Sequence, residues 1–187
     1  MTATLDKAAP AEARAVVDFW RQAGPSLWFA KDESFDRRFR ESFIGLYRMA
    51  ERGELSCWLD TPEGALALVL LLDQFPRNAF RGTPAMYATD ALAREAAGKA
   101  IDAGHDRAVS PDLAIFFYLS FGHSELIADQ QRCLALTERL DEHTRSRAKH
   151  HHDIVQRFGR FPHRNAILGR MTTAEEQRYL DEGGYTG

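Results

Sequence analysis

The sequence predicts an all-α fold of about eight or nine helices in antiparallel pairs, and three observations predict it. Apolar residues recur at three-and-four spacing in one segment after another, which is the period of a buried helix face. No run of four or more residues alternates strictly between apolar and polar with hairpin turns at its ends, so no strand is read. Ser-Pro, Thr-Pro and Gly signals stand where helices would start and stop. With 187 residues, 44% apolar and 27% charged, the chain has the size and composition of one globular domain. That single domain is expected over 10–187, behind a flexible tail at 1–9.

Pro10 opens the first helix at a position where its missing N–H costs nothing, and Ala13, Val16, Val17 and Trp20 form its buried face before Gly24-Pro25 ends it. Trp28 and Phe29 follow as anchors on a loop. Ser34 is the expected N-cap of a helix reaching Gly53, with Phe35, Phe39, Phe43, Leu46, Tyr47 and Ala50 on one stripe. Thr61 and Pro62 then cap a helix that passes through the apolar block 65–72 to Asp73-Gln74. Being apolar all round, it is expected at the centre of the core. Pro76 is expected to break or bend this helix.

Pro84 should restart an alanine-rich helix over 85–103, closed by Gly104. Ser110-Pro111 opens the next, apolar through Phe121, and Gly122-His123 breaks it. Ser124 is the expected cap of a further helix with Glu125 in its first turn and Leu126, Ile127, Cys133, Leu134, Leu136 and Leu140 on its buried stripe. A helix over 145–158 follows, then Gly159 and Pro162. Thr172 or Thr173 caps the last helix, which ends at Gly183-Gly184.

Several function classes are disfavoured by composition. A formal net charge of −3 creates no field that draws the chain to nucleic acid or to an anionic membrane. Cys57 and Cys133 lack CxxC partners and read as buried small hydrophobes. No run approaches the ~20 apolar residues of a membrane span, and the start of the chain lacks the apolar stretch of a signal peptide, so a cytoplasmic protein is expected. No Gly-rich phosphate loop, GxSxG elbow or Cys–His signature appears, and no cofactor is expected. The consecutive His150, His151, His152 and Asp153 point ~100° apart on a helix and cannot share one ion, so no metal site is expected.

Within the chain lies an imperfect echo: QFPRNAFRGT at 74–83 resembles RFPHRNAILGR at 160–170. Each sets a proline-interrupted helix end beside Arg and Asn. If the two segments face each other, Arg77, Asn78, Arg81, Arg160, His163, Arg164 and Asn165 form a cluster of donors suited to an anionic small molecule or an acidic peptide. The alternative is that each Arg pairs with a nearby carboxylate such as Asp73 or Asp90. A second candidate is catalytic: His123 as general base, Glu125 as its orienting partner, and His151 reaching the same point from another helix. A hydrolase- or lyase-like enzyme acting on a negatively charged substrate would use that set, whereas a protein-interaction module would use neither. Oligomeric state is left open.

The motifs LLDQFPRNAFRGT, FFYLSFGHSEL followed by ADQ, and HHDIVQRFGRFPHRNAILGR followed by TTAEE resemble those of the bacterial domain of unknown function 924 family. The likeness runs from VVDFW near the start to the final YLDEGG. The resemblance implies a tetratricopeptide-repeat-like helical fold and supplies no reaction.

Overall fold

The computed structural model describes residues 8–187, so the tail expected at 1–9 lies almost wholly outside the described residues. Its last residue, Ala9, is buried, and the Ala9 carbonyl accepts from Arg14 Nη1 at 2.6 Å. Among the described residues every regular element is helical. None of these helices is long and apolar enough to cross a membrane.

Helix α1 (Ala11–Ala23) buries Ala13, Val16, Val17 and Trp20 as its spacing predicts. The residues expected as a loop form a short helix α2 (Pro25–Trp28), whose Trp28 donates its indole N–H to the Trp20 carbonyl at 2.6 Å. Helix α3 (Glu33–Glu51) has its cap two residues before the expected one. Asp32 takes that role, because its carboxylate accepts both the Phe35 N–H at 2.7 Å and the Ser34 hydroxyl at 2.6 Å. A charged acceptor outcompetes the serine hydroxyl for the free helix N–H. Cys57 is also corrected: the 3-10 turn Ser56–Asp60 turns Trp58 inward and leaves Cys57 exposed.

Thr61 caps α4 (Pro62–Val69) by accepting from Gly64 N at 3.2 Å, and α4 is buried on every side between α1, α6 and α7. Pro76 does not break the helix that follows. The chain widens into a π-helical turn at Leu70–Gln74, with Phe75 N donating to the Leu70 carbonyl, and continues as α5 (Phe75–Ala79). A wider turn relieves the ring's clash with the preceding turn. The carbonyl four residues before Pro76, that of Leu72, receives no N–H from the proline and instead accepts the Thr89 hydroxyl at 2.6 Å.

That use of Thr89 helps explain why the alanine-rich helix starts late. A 3-10 turn occupies Pro84–Tyr87, and α6 (Asp90–Asp102) begins only after Thr89, whose side chain makes no cap bond. Helix α7 (Pro111–Gly122) follows as expected. Helix α8 (Ile127–Thr137) begins three residues after Ser124, not at it. The Ser124 hydroxyl accepts from Leu126 N at 3.1 Å and donates to Asp129 at 2.6 Å, holding a turn outside the helix. Gln130, Cys133 and Thr137 face inward, while Leu126 and Ile127, at the entrance of the helix, are exposed.

Asp141 caps α9 (Glu142–Phe158), which packs along α8 and ends at a left-handed Gly159. Thr173 caps α10 (Ala174–Asp181) in a full capping box with Glu176. Rings from five elements meet in the main core. Trp20 packs edge-on to Phe116 with centroids 5.3 Å apart, Phe75 meets Phe39 at 5.2 Å, and Phe75 stacks on Tyr47 at 4.9 Å. Phe75 thereby fixes the first echoed segment. Phe161 fixes the second in a smaller cluster with Ile154 and Val155.

Candidate functional site

The π turn presents Asp73 and Gln74 to the interior ahead of Arg77, one turn further on. Asp73 is fully buried, and its carboxylate accepts from Gln74 Nε2 at 2.6 Å and from His123 Nδ1 at 2.8 and 3.1 Å, with Arg77 Nη1 3.2 Å away. Arg77 also donates to the Asp73 carbonyl at 2.8 Å and grips Asp90 with both terminal nitrogens, at 2.7 and 3.0 Å. His123 arrives as the cap of α7, placed by the break that Gly122 permits. A Cβ at Gly122 would come within 3.2 Å of Cys133 Sγ, so glycine lets α7 and α8 close here.

From the second echoed segment, Arg164 lies with its guanidinium between two rings, 4.4 Å from the Tyr87 centroid and 4.6 Å from that of Phe161. Its edge reaches the same carboxylate that holds Arg77, with Nη1 3.4 Å from Asp90, and Nη2 donates to the His123 carbonyl at 2.9 Å. Arg164 is 6% exposed, yet its Nε has no hydrogen-bond partner. The ion pair with Asp90, the two ring faces and the bond to the His123 carbonyl offset the cost of burying this ion. One donor remains over: the Nε N–H is buried and meets no acceptor among the described residues.

Gln74, Arg77, Asn78, Arg81, His123, His151, His163 and Arg164 all line one cleft with a cavity volume of about 150 Å³. The two echoed segments thus converge. Not all predicted members do. Arg160 Nε donates to Glu176 at 2.6 Å, and the buried Asn165 also turns to Glu176, at 3.3 Å, so the capping box of α10 draws both away from the cleft. Asn78 and Arg81 stand at the cleft wall but are tied to Asp36, at 2.6 and 2.9 Å. For Arg77, Arg81 and Arg160, pairing with carboxylates is the observed state.

Glu125 does not orient His123. It accepts from Phe161 N at 2.8 Å and from Arg170 at 2.9 Å, and so fastens the second segment, while Asp73 occupies the position on the imidazole. His151 does come to the same place from α9, with its ring 6.3 Å from that of His123. Arg147, one turn earlier on α9, also lines the cleft. Its guanidinium sits 4.5 Å from the Phe29 ring, and no carboxylate pairs with it among the described residues. Gln74, Tyr87 and Arg147 are members that sequence reasoning did not place in the site, and Asp73 and Asp90 were read only as partners for the arginines.

The charge states follow from the packing. Burial would push the Asp73 carboxyl up, but Arg77 and His123 override it and hold Asp73 well below the usual carboxylate range. Burial and then Arg77 depress His123, against the pull of Asp73, so the ring is neutral at pH 7. Burial, aided by His123 and Arg147, pushes His151 down to about 3, and burial with Arg164 takes His163 to about 3. Arg164 itself is lowered by burial and by Arg77.

A bacterial protein family described as being of unknown function, DUF924, matches residues 16–184. The solved structure of a protein of unknown function, ATU0120 from Agrobacterium tumefaciens, superposes with a TM-score of 0.90 at 57% identity, covering 91% of this chain and 97% of that one. No curated protein matches.

Proposed function

The chain belongs to this bacterial family of unknown function, and we propose that it binds a small anionic molecule in the cleft between its two echoed segments, with Arg164 and Arg147 holding the negative group. The observation that carries the reading is the state of Arg164: buried, flattened between Tyr87 and Phe161, and short of hydrogen-bond partners. A planar guanidinium pre-set in that way loses little freedom when it meets a carboxylate or phosphate. Arg77 acts differently, as a strut that aligns Asp73 and Asp90. In a tetratricopeptide-repeat-like reading of the halves, each echoed segment delivers one arginine to the same carboxylate.

The experiment is a titration with acetate and with inorganic phosphate, followed by calorimetry and by NMR of the arginine side chains. Arg164→Gln should weaken binding at least tenfold, whereas Arg160→Gln, outside the cleft, should leave it unchanged. Equal binding by Arg164→Gln and the parent would overturn the proposal.

A second reading, general-base catalysis on the bound anion, is favoured by one observation. Asp73 accepts from His123 Nδ1, which puts the lone pair on Nε2, and no hydrogen bond engages Nε2 among the described residues. This reading requires Asp73 to control the titration of His123.

A further inference from the structure

Beside the polar cleft lies a second, larger chamber of about 260 Å³, walled by Pro25, Ile115, Leu119, Gly122, Cys133 and Ala148. Phe29, Leu119, Arg147 and His151 belong to the walls of both. Thr137, His143, Thr144, Arg147 and His151 complete its lining, and part of that polar surface is already engaged. The Thr137 hydroxyl on its wall already donates to the Cys133 and Leu134 carbonyls, at 2.8 and 3.1 Å, and the Gly122 carbonyl accepts from Gln130 at 2.8 Å. A purely apolar cavity of about 150 Å³ takes a benzene ring, and this chamber has room for a longer chain along Ile115, Leu119, Cys133 and Ala148. At the shared mouth Phe29 keeps 44% of its surface exposed, with the Arg147 guanidinium stacked on it.

We propose that the ligand is a carboxylate with an apolar tail, its head between Arg147 and Arg164 and its chain in the chamber lined by Ile115, Cys133 and Ala148. The inference rests on the anion-binding reading and adds the tail to it. Charge and shape argue together. Among the described residues Arg147 has no carboxylate partner, it stands where the polar and apolar spaces meet, and a head group held there directs a chain into the apolar side. The buried, neutral His151 next to it adds no competing charge at the junction. Pockets that combine an apolar body with a few convergent polar groups hold amphipathic molecules in this manner.

The test is a chain-length series of acetate, butyrate, hexanoate and octanoate, titrated into the full chain. Affinity should rise on the order of fourfold per methylene until the chamber is filled. Ile115→Trp, which fills the chamber from the α7 side, should reduce octanoate to the affinity of acetate and leave acetate unchanged. In a Cys57→Ser background, octanoate should slow alkylation of Cys133 at least tenfold more than acetate does. This readout does not depend on Ile115→Trp folding well. A flat series with acetate still bound overturns the tail and spares the anion site. No binding of acetate, with octanoate binding unaffected by Arg164→Gln, overturns the head-group assignment and the proposal with it.

Discussion

Asp73 connects both ends of the cleft through one carboxylate: it fixes the imidazole of His123 on one side and offsets the charge of Arg77 on the other. Asp73→Asn preserves shape and removes charge, so its effects isolate electrostatics. Arg77 keeps Asp90 but loses a second buried anion, and charge-assisted hydrogen bonds contribute about 1.5–3 kcal/mol each. The variant should lose about 2–3 kcal/mol in denaturant unfolding with an unchanged m-value. Asp73 is also the main influence raising the His123 pKa against burial and Arg77, so in the variant that pKa should fall further, as read by NMR titration. A His123 that titrates as before in Asp73→Asn would remove the general-base reading. At this scale the echoed arginines were legible, because a duplicated Pro-Arg-Asn pattern is a local signal. The partner of His123 was not: Glu125 is two residues away in sequence, whereas Asp73 comes from α4's continuation across the core, and no local pattern encodes a tertiary contact.

The segment Leu70–Ala79 shows the same limit one level up. Proline inside a helical pattern reads as a break or a bend, and the helical period of α4 reads correctly up to it. What the pattern omits is a remote hydroxyl able to satisfy the carbonyl that proline abandons. Thr89 supplies it from the residue before α6, so the π turn and the delayed start of α6 are one event. Thr89→Val keeps the volume and leaves the Leu72 carbonyl buried without a partner, a loss of about 1–3 kcal/mol. In a Pro76→Ala background the restored N–H gives that carbonyl an alternative donor, and the cost of Thr89→Val should shrink by more than half. Additive effects in this double-mutant cycle would show that hydroxyl and proline are uncoupled. Caps were legible where no stronger acceptor stands nearby, as at Thr61, and at the last helix down to a choice between Thr172 and Thr173. They failed where a neighbour was the stronger acceptor, as Asp32 is beside Ser34, or where the hydroxyl had another use, as at Ser124.

For the molecule as a whole, the convergence of neutral imidazoles on one cleft, His151 buried and His163 half-buried, makes stability depend on pH. His151 and His163 titrate near 6.5 when unfolded and are held to about 3 when folded. Between those values the unfolded chain binds protons that the native chain refuses. Stability therefore is complete above about pH 6.5 and falls as pH drops toward 3, by up to about 1.4 kcal/mol per pH unit for each group. Carboxylates act in the same direction at lower pH. Glu176, held to about 2 by the hydrogen bond from Arg160, contributes above its unfolded pKa and loses that contribution as pH falls through about 4.5 toward 2. Acid unfolding should thus have two parts, one starting near pH 6.5 from the histidines and one below about 4.5 from the carboxylates. His151→Leu matches the apolar wall around His151 and removes its titration. It should flatten the slope between pH 6 and 4.5 by roughly one proton, as measured by urea unfolding across pH. Bound anion would act on the same equilibrium. A ligand held by Arg147 and Arg164 places negative charge near both rings and raises their folded pKa, so the loss still begins near pH 6.5 but ends at a higher pH and is smaller in total. A pH–stability curve that saturating octanoate raises uniformly, with its slope unchanged between pH 4.5 and 3, would mean that the anion and the histidines do not share one field.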